Sequence, residues 1–230
     1  MSMAHRRIAL LAVVLASAPA TLAAAPGALA LPRAIINQFT GPRVIRAEVL
    51  VLSTDGTTAQ DYRIDRGVIL LVTGASLTIR ESNGDTVAVP IVSGTQVQGS
   101  RVGTAGGLRR GMRVVVYQLA GAPAQIVQGE GIDPQFFGPR LVRAEVLLLG
   151  VGGATQDYRI DRGVVVSAAS GTLTLRESDG TTVPLSVDPS AQVLGGGRRA
   201  TASTLRKGTH VVVYASANAP AELVQVEAGP

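Results

Sequence analysis

Cysteine is absent from the 230-residue sequence, and so is tryptophan. Without cysteine the chain can form no disulfide bond, no thiolate metal site and no lipid-modified terminal cysteine. A folded state must therefore rest on the packing of apolar residues. The 46% hydrophobic content, dominated by Val, Leu, Ile and Ala, is ample for that purpose.

Side chains that perform acid–base or nucleophilic chemistry are also scarce. Beyond the first thirty residues the only histidine is His210, and no glycine-rich phosphate loop of the Walker or dinucleotide type is present. His210 occupies the position that Arg113 has in an earlier, similar segment, which favours a solvated residue at a strand edge over a catalytic one. The sequence thus predicts a non-enzymatic protein with no cofactor and no metal.

Aromatic residues make up only 3% of the chain. Single-stranded nucleic acids stack their bases on aromatic side chains, and a cleft for sugars would also be expected to offer such rings. The four tyrosines are the main candidates, but Tyr62 and Tyr158 are predicted to lie in the core. A stacking site of either kind is therefore not expected.

An internal duplication is the strongest positive feature of the chain. Residues 41–67 read GPRVIRAEVLVLSTDGTTAQDYRIDRG, and residues 138–163 read GPRLVRAEVLLLGVGGATQDYRIDRG. A period of roughly 97 residues matches a small domain and exceeds the ~20–50 residues of a solenoid repeat. We predict two units, residues 36–132 and 133–230, joined by a linker of residues 129–132 that is too short for free separation.

The first thirty residues have the pattern of a secretory signal peptide. Arg6 and Arg7 precede the apolar run 8–16, and small residues lead up to Ala30. Cleavage there would lower the net charge from +5 to +3. The run falls short of the ~20 apolar residues of a transmembrane span. We therefore expect a secreted protein, extracellular or associated with the cell envelope, without a transmembrane anchor; the arginine pair leaves twin-arginine export open as an alternative route.

Short β-branched segments bounded by Gly, Pro, Asn or Asp predict an all-β fold. In the first hairpin of each unit, one register places oppositely charged residues across from each other and gathers the apolar residues on the other face. The four predicted cross-strand ion pairs are Arg46–Asp65, Glu48–Arg63, Arg143–Asp161 and Glu145–Arg159.

The second hairpin of each unit also has a register that the alternation selects. A three-residue loop, Ser82 to Gly84, sets Ile79 opposite Val87, whereas a two-residue turn would mix the faces; Gly180 plays the same part in the second unit. A Val-Val-Val-Tyr run in each unit predicts a strand buried on both sides. Six or seven short strands per unit in a meander predict two tandem small β-barrels, since closure removes exposed edges.

Residues 67–128 and 163–225 resemble the small OB-like β-barrel domains of unknown function that occur in tandem in secreted bacterial proteins. The resemblance is carried by the Leu77-Thr78-Ile79 strand with its turn at Gly84, by Thr95-Gln96-Val97, and by the pattern Leu108-x-x-Gly111-x-x-Val114-Val115-Val116. It implies a fold and secretion and supplies no catalytic residues. The hairpin of residues 43–66 lies outside the family pattern.

The nine-residue identity at 60–68 and 156–164 is the strongest candidate for a shared site. Asp61 and Asp65 could ligate calcium, but Arg63 lies between them and neutralises the site. Glu48 with Asp65 could form the carboxylate pair of a glycoside hydrolase, although nothing singles these two out. Cross-strand ion pairing, worth ~0.2–1 kcal/mol per pair, explains the residues better.

Basic residues that flank the loop before each Val-Val-Val-Tyr segment form a second candidate site. A rim of such cations in each unit could hold a polyanion with salt-sensitive affinity. The predicted polyanion-binding residues are Arg101, Arg109, Arg110, Arg113, Arg198, Arg199, Arg206 and Lys207.

From the sequence we expect a secreted structural or adhesive protein that uses its paired domains as a bivalent surface. Its partner would be another envelope protein or an anionic envelope polymer. The alternative function is electrostatic binding of envelope polysaccharide, nucleic acid or lipid headgroups through the arginine rims.

Overall fold

The described part of the chain is all-β. The computed structural model describes residues 37–99, 103–129, 131–169, 171–195 and 200–227. The predicted signal peptide, residues 1–30, and the first residue of the first unit, Ile36, lie outside the described residues. Within those ranges no helix is long and apolar enough to cross a membrane.

Strands account for most of the described residues, and short 3₁₀ turns connect several of them. The strands of the first unit are β1 (Val44–Leu52), β2 (Ala59–Val72), β3 (Ser76–Glu81), β4 (Thr86–Pro90), β5 (Gln96–Gln98), β6 (Arg113–Leu119) and β7 (Ala124–Gln128). Those of the second unit are β8 (Leu141–Leu149), β9 (Thr155–Ala169), β10 (Thr172–Glu177), β11 (Thr182–Leu194), β12 (His210–Ser216) and β13 (Ala221–Val226). The 3₁₀ turns are Ala105–Gly107, Pro134–Phe137, Val151–Gly153 and Ala202–Thr204, and residues 37–40 are also helical.

The thirteen strands of the described ranges belong to one mixed sheet, with β1 and β8 side by side in its centre. These two strands occupy equivalent places in the two units and run antiparallel, with Glu48 directly opposite its counterpart Glu145. An antiparallel pair of equivalent strands has a local two-fold axis between them. The two units are therefore related by a pseudo-two-fold axis that passes beside this glutamate pair.

The pairing within the second unit runs in a ring. Strand β9 pairs with both β10 and β12, β10 pairs with β11, β11 pairs with β13, and β13 pairs with β12. In the first unit β4 and β5 together take the place of β11. The β5–β7 and β11–β13 pairings are parallel. The simple meander predicted from the sequence is therefore wrong, because the chain crosses over to place these strands together.

The hairpin registers are those that the alternation of residues predicts. Arg46 lies opposite Asp65 and Glu48 opposite Arg63 in the β1–β2 pair, and the β8–β9 pair repeats the arrangement. The loop from Ser82 to Gly84 has three residues, with Gly84 in the left-handed region at φ 94°. Residues on a pleated strand alternate between faces, so a slip of one position would have moved every buried side chain to the surface.

Glycine is required where β2 passes close to the backbone of β3 and where β9 passes close to the backbone of β10. A Cβ atom on Gly67 would lie 2.5 Å from the carbonyl oxygen of Arg80, and one on Gly163 would lie 2.6 Å from that of Arg176. Contacts this short with backbone atoms cannot be relieved by moving a side chain. The glycine of the nine-residue identity, Gly67 or Gly163, is thus explained by backbone packing.

The described residues form three hydrophobic clusters, one more than two independent domains would need. One cluster lies within the first unit around Ile79 and Val116, and one within the second around Leu175 and Val213. The third, here called the shared core, contains residues from both units, including Val49 and Val146 from the central strands. The Val-Val-Val-Tyr strands are buried on both sides, as predicted, because one side faces the unit's own core and the other faces the shared core.

Every aromatic residue of the chain lies in or against the shared core, and the contacts are reciprocal. Phe39 of the first unit packs against Tyr158 and Tyr214 of the second, with ring centroids 5.6 and 5.8 Å apart. Phe136, its counterpart in the second unit, packs against Tyr62 and Tyr117 of the first at 5.0 and 5.1 Å. Each unit thus inserts an aromatic side chain into a tyrosine pair of the other.

The segment predicted to be a spare linker is part of the packed structure. Ile132 is 3% exposed and belongs to the shared core. The backbone N–H of Asp133 donates to the Tyr117 hydroxyl at 2.9 Å, and the Asp133 carboxylate accepts from the N–H of Gln135, which caps the turn that carries Phe136. A linker held in this way fixes the second unit against the first.

Replacing Phe39 by alanine should lower the free energy of unfolding by roughly 3–5 kcal/mol, because a buried ring and its contacts with the other unit are lost. Urea denaturation followed by circular dichroism would measure the change. We expect one cooperative transition, shifted as a whole. Val151→Ala, at a side chain that is 93% exposed, is the control and should change stability by less than about 0.5 kcal/mol. Two separate transitions, with only one shifted, would contradict a shared core.

Candidate functional site

A buried network of charges lies beneath the first hairpin. The carboxylates of Asp65 and Glu81 have no solvent-exposed side-chain area. Arg46 donates to Asp65 at 3.1 Å and to Glu81 at 2.7 Å, and Arg63 donates to Asp65 at 2.9 Å. Buried carboxylates need such partners, since an unpaired charge in the interior would cost several kcal/mol.

The second unit repeats this network with one difference. Arg159 donates to Asp161 at 2.8 Å, as Arg63 does to Asp65, and Arg143 donates to Glu177. Arg143, unlike Arg46, forms no ion pair with the aspartate opposite it, among the pairs found in the described residues. Asp161 is therefore held by one arginine where Asp65 is held by two.

The predicted cross-strand ion pairs are corrected in part by these contacts. Arg46–Asp65 is an ion pair, whereas Arg143, which lies opposite Asp161, pairs with Glu177. Glu48–Arg63 and Glu145–Arg159 are opposed in register, but in the described structure each arginine turns along its own strand to the buried aspartate two residues on. A buried carboxylate attracts a guanidinium more strongly than an exposed one, because water screens it less.

Sequence reasoning missed Glu81 and Glu177, although a signal was present. Both follow the alternation of the buried residues in their strands, as Leu77, Ile79 and Glu81 show for β3. A carboxylate at a core-facing position requires a cation from another strand. That cation is Arg46 for Glu81 and Arg143 for Glu177. The hairpin register alone predicts an aspartate as the partner of each arginine.

Burial raises the pKa of Glu81 to about 7, and the Arg46 guanidinium opposes part of the shift. Burial also raises the pKa of Glu177, against the hydrogen bond from Arg143. Glu81 can therefore hold a proton under conditions in which a solvent-exposed glutamate is fully ionised, and Glu177 releases its proton at a higher pH than an exposed glutamate does.

A row of four charged residues crosses the centre of the sheet on the side of this network. In strand order β9, β8, β1, β2 the opposed residues are Arg159, Glu145, Glu48 and Arg63. We call this side the central face. It carries eight carboxylates and four arginines: Glu48, Asp61, Asp65, Glu81, Glu145, Asp157, Asp161 and Glu177 with Arg46, Arg63, Arg143 and Arg159. The central face is thus acidic on a chain whose formal net charge is +5.

Two equivalent clefts open at the central face, one in each unit. The first cleft has a volume of about 840 Å³ and the second about 510 Å³. The first lies between β4 and the turn of the β6–β7 hairpin, and the second lies between the first half of β11 and the turn of the β12–β13 hairpin. The first is lined by Glu48, Asp61, Arg63, Val87, Ala88, Pro90 and residues 118–123. The second is lined by Arg159, Asp161, residues 184–186, Val213, Ala215, Ser216 and residues 218–221.

The spacing of the clefts follows from the strands between them. Arg63 lines the first cleft and Arg159 the second, and both belong to the charged row of the central face. Three strand-to-strand steps of ~4.8 Å separate their backbones, about 14 Å in all. A single partner molecule could therefore contact both clefts at once.

The basic residues predicted to bind a polyanion are only partly brought together. Arg109 and Arg110 line a groove of about 590 Å³ beside Leu71, where the Arg109 guanidinium donates to the carbonyl oxygens of Gly106 and Leu108. Arg113 is exposed on β6 and lies outside that lining. Arg206 and Lys207 are exposed in the equivalent loop of the second unit. Arg101, Arg198 and Arg199 lie outside the described residues.

His210 borders a fourth depression, about 530 Å³ in volume, together with Arg162, Arg176 and Glu227. Arg162 and Glu227 form an ion pair at 2.9 Å, so this rim is partly neutralised.

In the described residues no group of three His, Asp or Glu side chains is arranged to hold a metal ion. For the calcium hypothesis, Asp65 is buried under two guanidiniums while Asp61 is exposed, so the two do not form a joint site.

Comparison of the chain with protein-family models, with curated proteins and with solved structures found no match. The resemblance to tandem OB-like domains therefore stays a prediction.

The raised pKa of Glu81 makes stability depend on pH. The native carboxyl keeps a proton that the unfolded chain, with the ordinary pKa of 4.5, releases. The free energy of unfolding should therefore fall as the pH rises from about 4.5 to about 7, by on the order of 3 kcal/mol for this group. Urea denaturation at several pH values across this range would measure the slope.

Glu81→Gln should reduce that slope, and Glu81→Gln with Glu177→Gln should reduce it further. Glu222→Gln, at an exposed position on β13, is the matched control and should leave the profile unchanged. A double variant with the wild-type profile would show that the pKa values of these two carboxyls in the native state equal those in the unfolded chain.

Proposed function

We propose that the protein is a secreted, non-enzymatic structural or binding protein of the cell envelope or extracellular space, built from two small OB-like β-barrels. The ring of strand pairings in the second unit and its counterpart in the first support the barrels. The pattern of residues 1–30 supports secretion.

The observation that carries the proposed function is the pair of equivalent clefts on one face. The shared core and the packed linker hold the two units in a fixed relation, so the clefts present a constant spacing to a partner. A rigid pair of sites gains affinity when both are occupied, because the second contact is made within the complex. Bivalent binding gives this duplicated structure a use that one unit would lack.

A non-enzymatic role agrees with the chemistry of the carboxylates at the central face. The oxygens of Asp65, Glu81, Asp161 and Glu177 accept hydrogen bonds from guanidiniums and are buried. General acid–base catalysis needs a free group within reach of a substrate. Asp161 does line the second cleft, but its oxygens are engaged by the Arg159 guanidinium.

Blocking either cleft should weaken binding, and blocking both should abolish it. Ala122 and Ala219 are equivalent residues on the rims of the first and second clefts. With isolated bacterial cell envelopes as the probe, we expect Ala122→Trp and Ala219→Trp each to reduce the apparent affinity of the purified chain by about 10–100-fold. Cosedimentation of each variant with the envelopes would measure this apparent affinity.

Val151→Trp, at an exposed loop that lines neither cleft, is the control for the added ring and should bind as the wild type does. Single variants that bind normally, or a double variant that still binds, would refute the two-cleft proposal.

A second candidate function is electrostatic binding of an anionic polymer: envelope polysaccharide, nucleic acid or lipid headgroups. The groove beside Leu71 favours it, since its described lining includes Arg109 and Arg110 and no carboxylate. Arg206 and Lys207 hold the equivalent loop positions in the second unit. Anionic polymers would then meet this surface and not the acidic central face.

Replacing Arg109, Arg110, Arg206 and Lys207 together by alanine should remove binding to single-stranded DNA and to anionic polysaccharide. Wild-type binding should weaken steeply between low and raised salt, because counterions released on binding must be taken up again. Cosedimentation at two salt concentrations measures both effects. An unaltered affinity in the quadruple variant would exclude this surface as the polymer site.

A further inference from the structure

The first cleft is bounded on one side by a strand edge. Among the strands of the described residues, β4 pairs with β3 alone along Thr86–Pro90, and its other edge borders the cleft across from the β6–β7 turn. An unpaired edge presents backbone N–H and C=O groups to whatever enters. The backbone groups that point into the cleft belong to the residues of β4 that are not hydrogen-bonded to β3.

The alternation of hydrogen-bonded and non-hydrogen-bonded pairs in the β3–β4 hairpin identifies these residues. The Glu81 N–H donates to the Asp85 carbonyl, so this pair is hydrogen-bonded, and pairs alternate along an antiparallel ladder. Thr86, Ala88 and Pro90 are consequently in non-hydrogen-bonded pairs with β3, and their backbone groups point away from β3, on the edge where Ala88 and Pro90 line the cleft. Pro90, which has no N–H, fits this position because the ladder does not need one there.

The second unit differs from the first at the centre of this edge. Hydrogen-bonded pairs alternate in the same way between β10 and β11, since the Glu177 N–H donates to the Thr181 carbonyl. Pro184, opposite Thr174, stands where the first unit has Ala88 opposite Thr78. The second edge thus lacks the central donor that the first retains. Its cleft is also the smaller, about 510 Å³ against about 840 Å³.

Charge decides what kind of partner fits the first cleft. Glu48 and Asp61 line it and are exposed, and neither forms an ion pair within 4.0 Å among the described residues. Arg63 also lines it, but its Nε and Nη2 donate to Asp65. Glu145 lies opposite Glu48 on the neighbouring strand and adds a further negative charge beside it. The cleft therefore attracts a cation.

We propose that the first cleft binds an extended peptide segment carrying lysine or arginine, which adds as a strand to the free edge of β4. Ala88 and Thr86 supply the N–H donors, and Asp61 and Glu48 meet the cationic side chains. Five residues of β4 offer an edge of about 17 Å, and the volume of the cleft lies within the ~300–1,000 Å³ of ordinary ligand sites.

This inference rests on the proposed binding function and specifies its partner. In the second cleft Pro184 restricts strand addition, because proline has no N–H to donate. The second cleft therefore contributes contacts from side chains more than from the backbone. The two clefts of a bivalent surface would then differ in what they recognise.

A random octapeptide library displayed on phage and selected on the purified chain tests the proposal. We expect the retained peptides to be enriched in lysine and arginine. Synthetic versions should lose binding when alternate backbone N–H groups are N-methylated. Ala88→Pro should weaken binding at least tenfold, and the fold should accept this change because Pro184 already occupies the equivalent position.

Ala88→Ser keeps the backbone donor and is the matched control, with an expected affinity within twofold of the wild type. Asp61→Asn should weaken binding of the basic peptides without altering that of uncharged ones. Hydrogen exchange should show the Ala88 amide protected when peptide is bound.

The proposal is overturned if no octapeptide is retained, if the retained peptides are acidic, or if Ala88→Pro binds them as well as the wild type. It is also overturned if Ala88→Pro changes only the association state of the chain, since the occupant would then be a second copy. Envelope binding that needs both clefts, without peptide binding, would refute this inference alone. Peptide binding without envelope binding would instead refute the proposed function.

Discussion

The antiparallel pairing of β1 with β8 is the interaction on which the rest of the molecule depends. It turns Val49 and Val146 towards the shared core and brings Phe39 and Phe136 within reach of the tyrosines of the opposite unit. The same pairing sets two glutamates opposite each other, at a cost of about 0.2–1 kcal/mol. Burying a single large apolar side chain contributes about 1.5–3 kcal/mol, so the shared core outweighs that repulsion.

The repeated sequence Arg-Ile-Asp-Arg-Gly is explained by what surrounds each of its residues in this arrangement. Ile64 faces the shared core, while Asp65 on the other side is buried and needs the guanidiniums of Arg63 and Arg46. Gly67 lets the backbone pass close to β3. The identity between the units thus reflects packing and charge burial, and it also positions Arg63 and Arg159 at the walls of the two clefts.

The differences between the units concern the clefts and the loops. Asp65 is held by two arginines and Asp161 by one, the single strand β11 replaces the separate β4 and β5, and Pro184 stands in place of Ala88. Because both units keep the residues that build the shared core, these differences leave the central assembly unchanged. They alter the strand edges and side chains that a partner would meet, which is where two copies of a binding unit can diverge without loss of stability.

The sequence by itself determined the duplication, the all-β class and the hairpin registers, because these depend on local patterns: repeated letters, alternation with a period of two, and turn glycines such as Gly84. It identified Arg63 and Asp65 as structural but misassigned their contacts, since the partner of a buried charge depends on which strand lies beside it. Tertiary structure alone decided that the units share a core, that Glu81 and Glu177 take the arginines, and that β4 leaves an edge open to a cleft. These features join residues far apart in the chain, and the position of one unit against the other is set by the packing of whole surfaces, which no local pattern encodes.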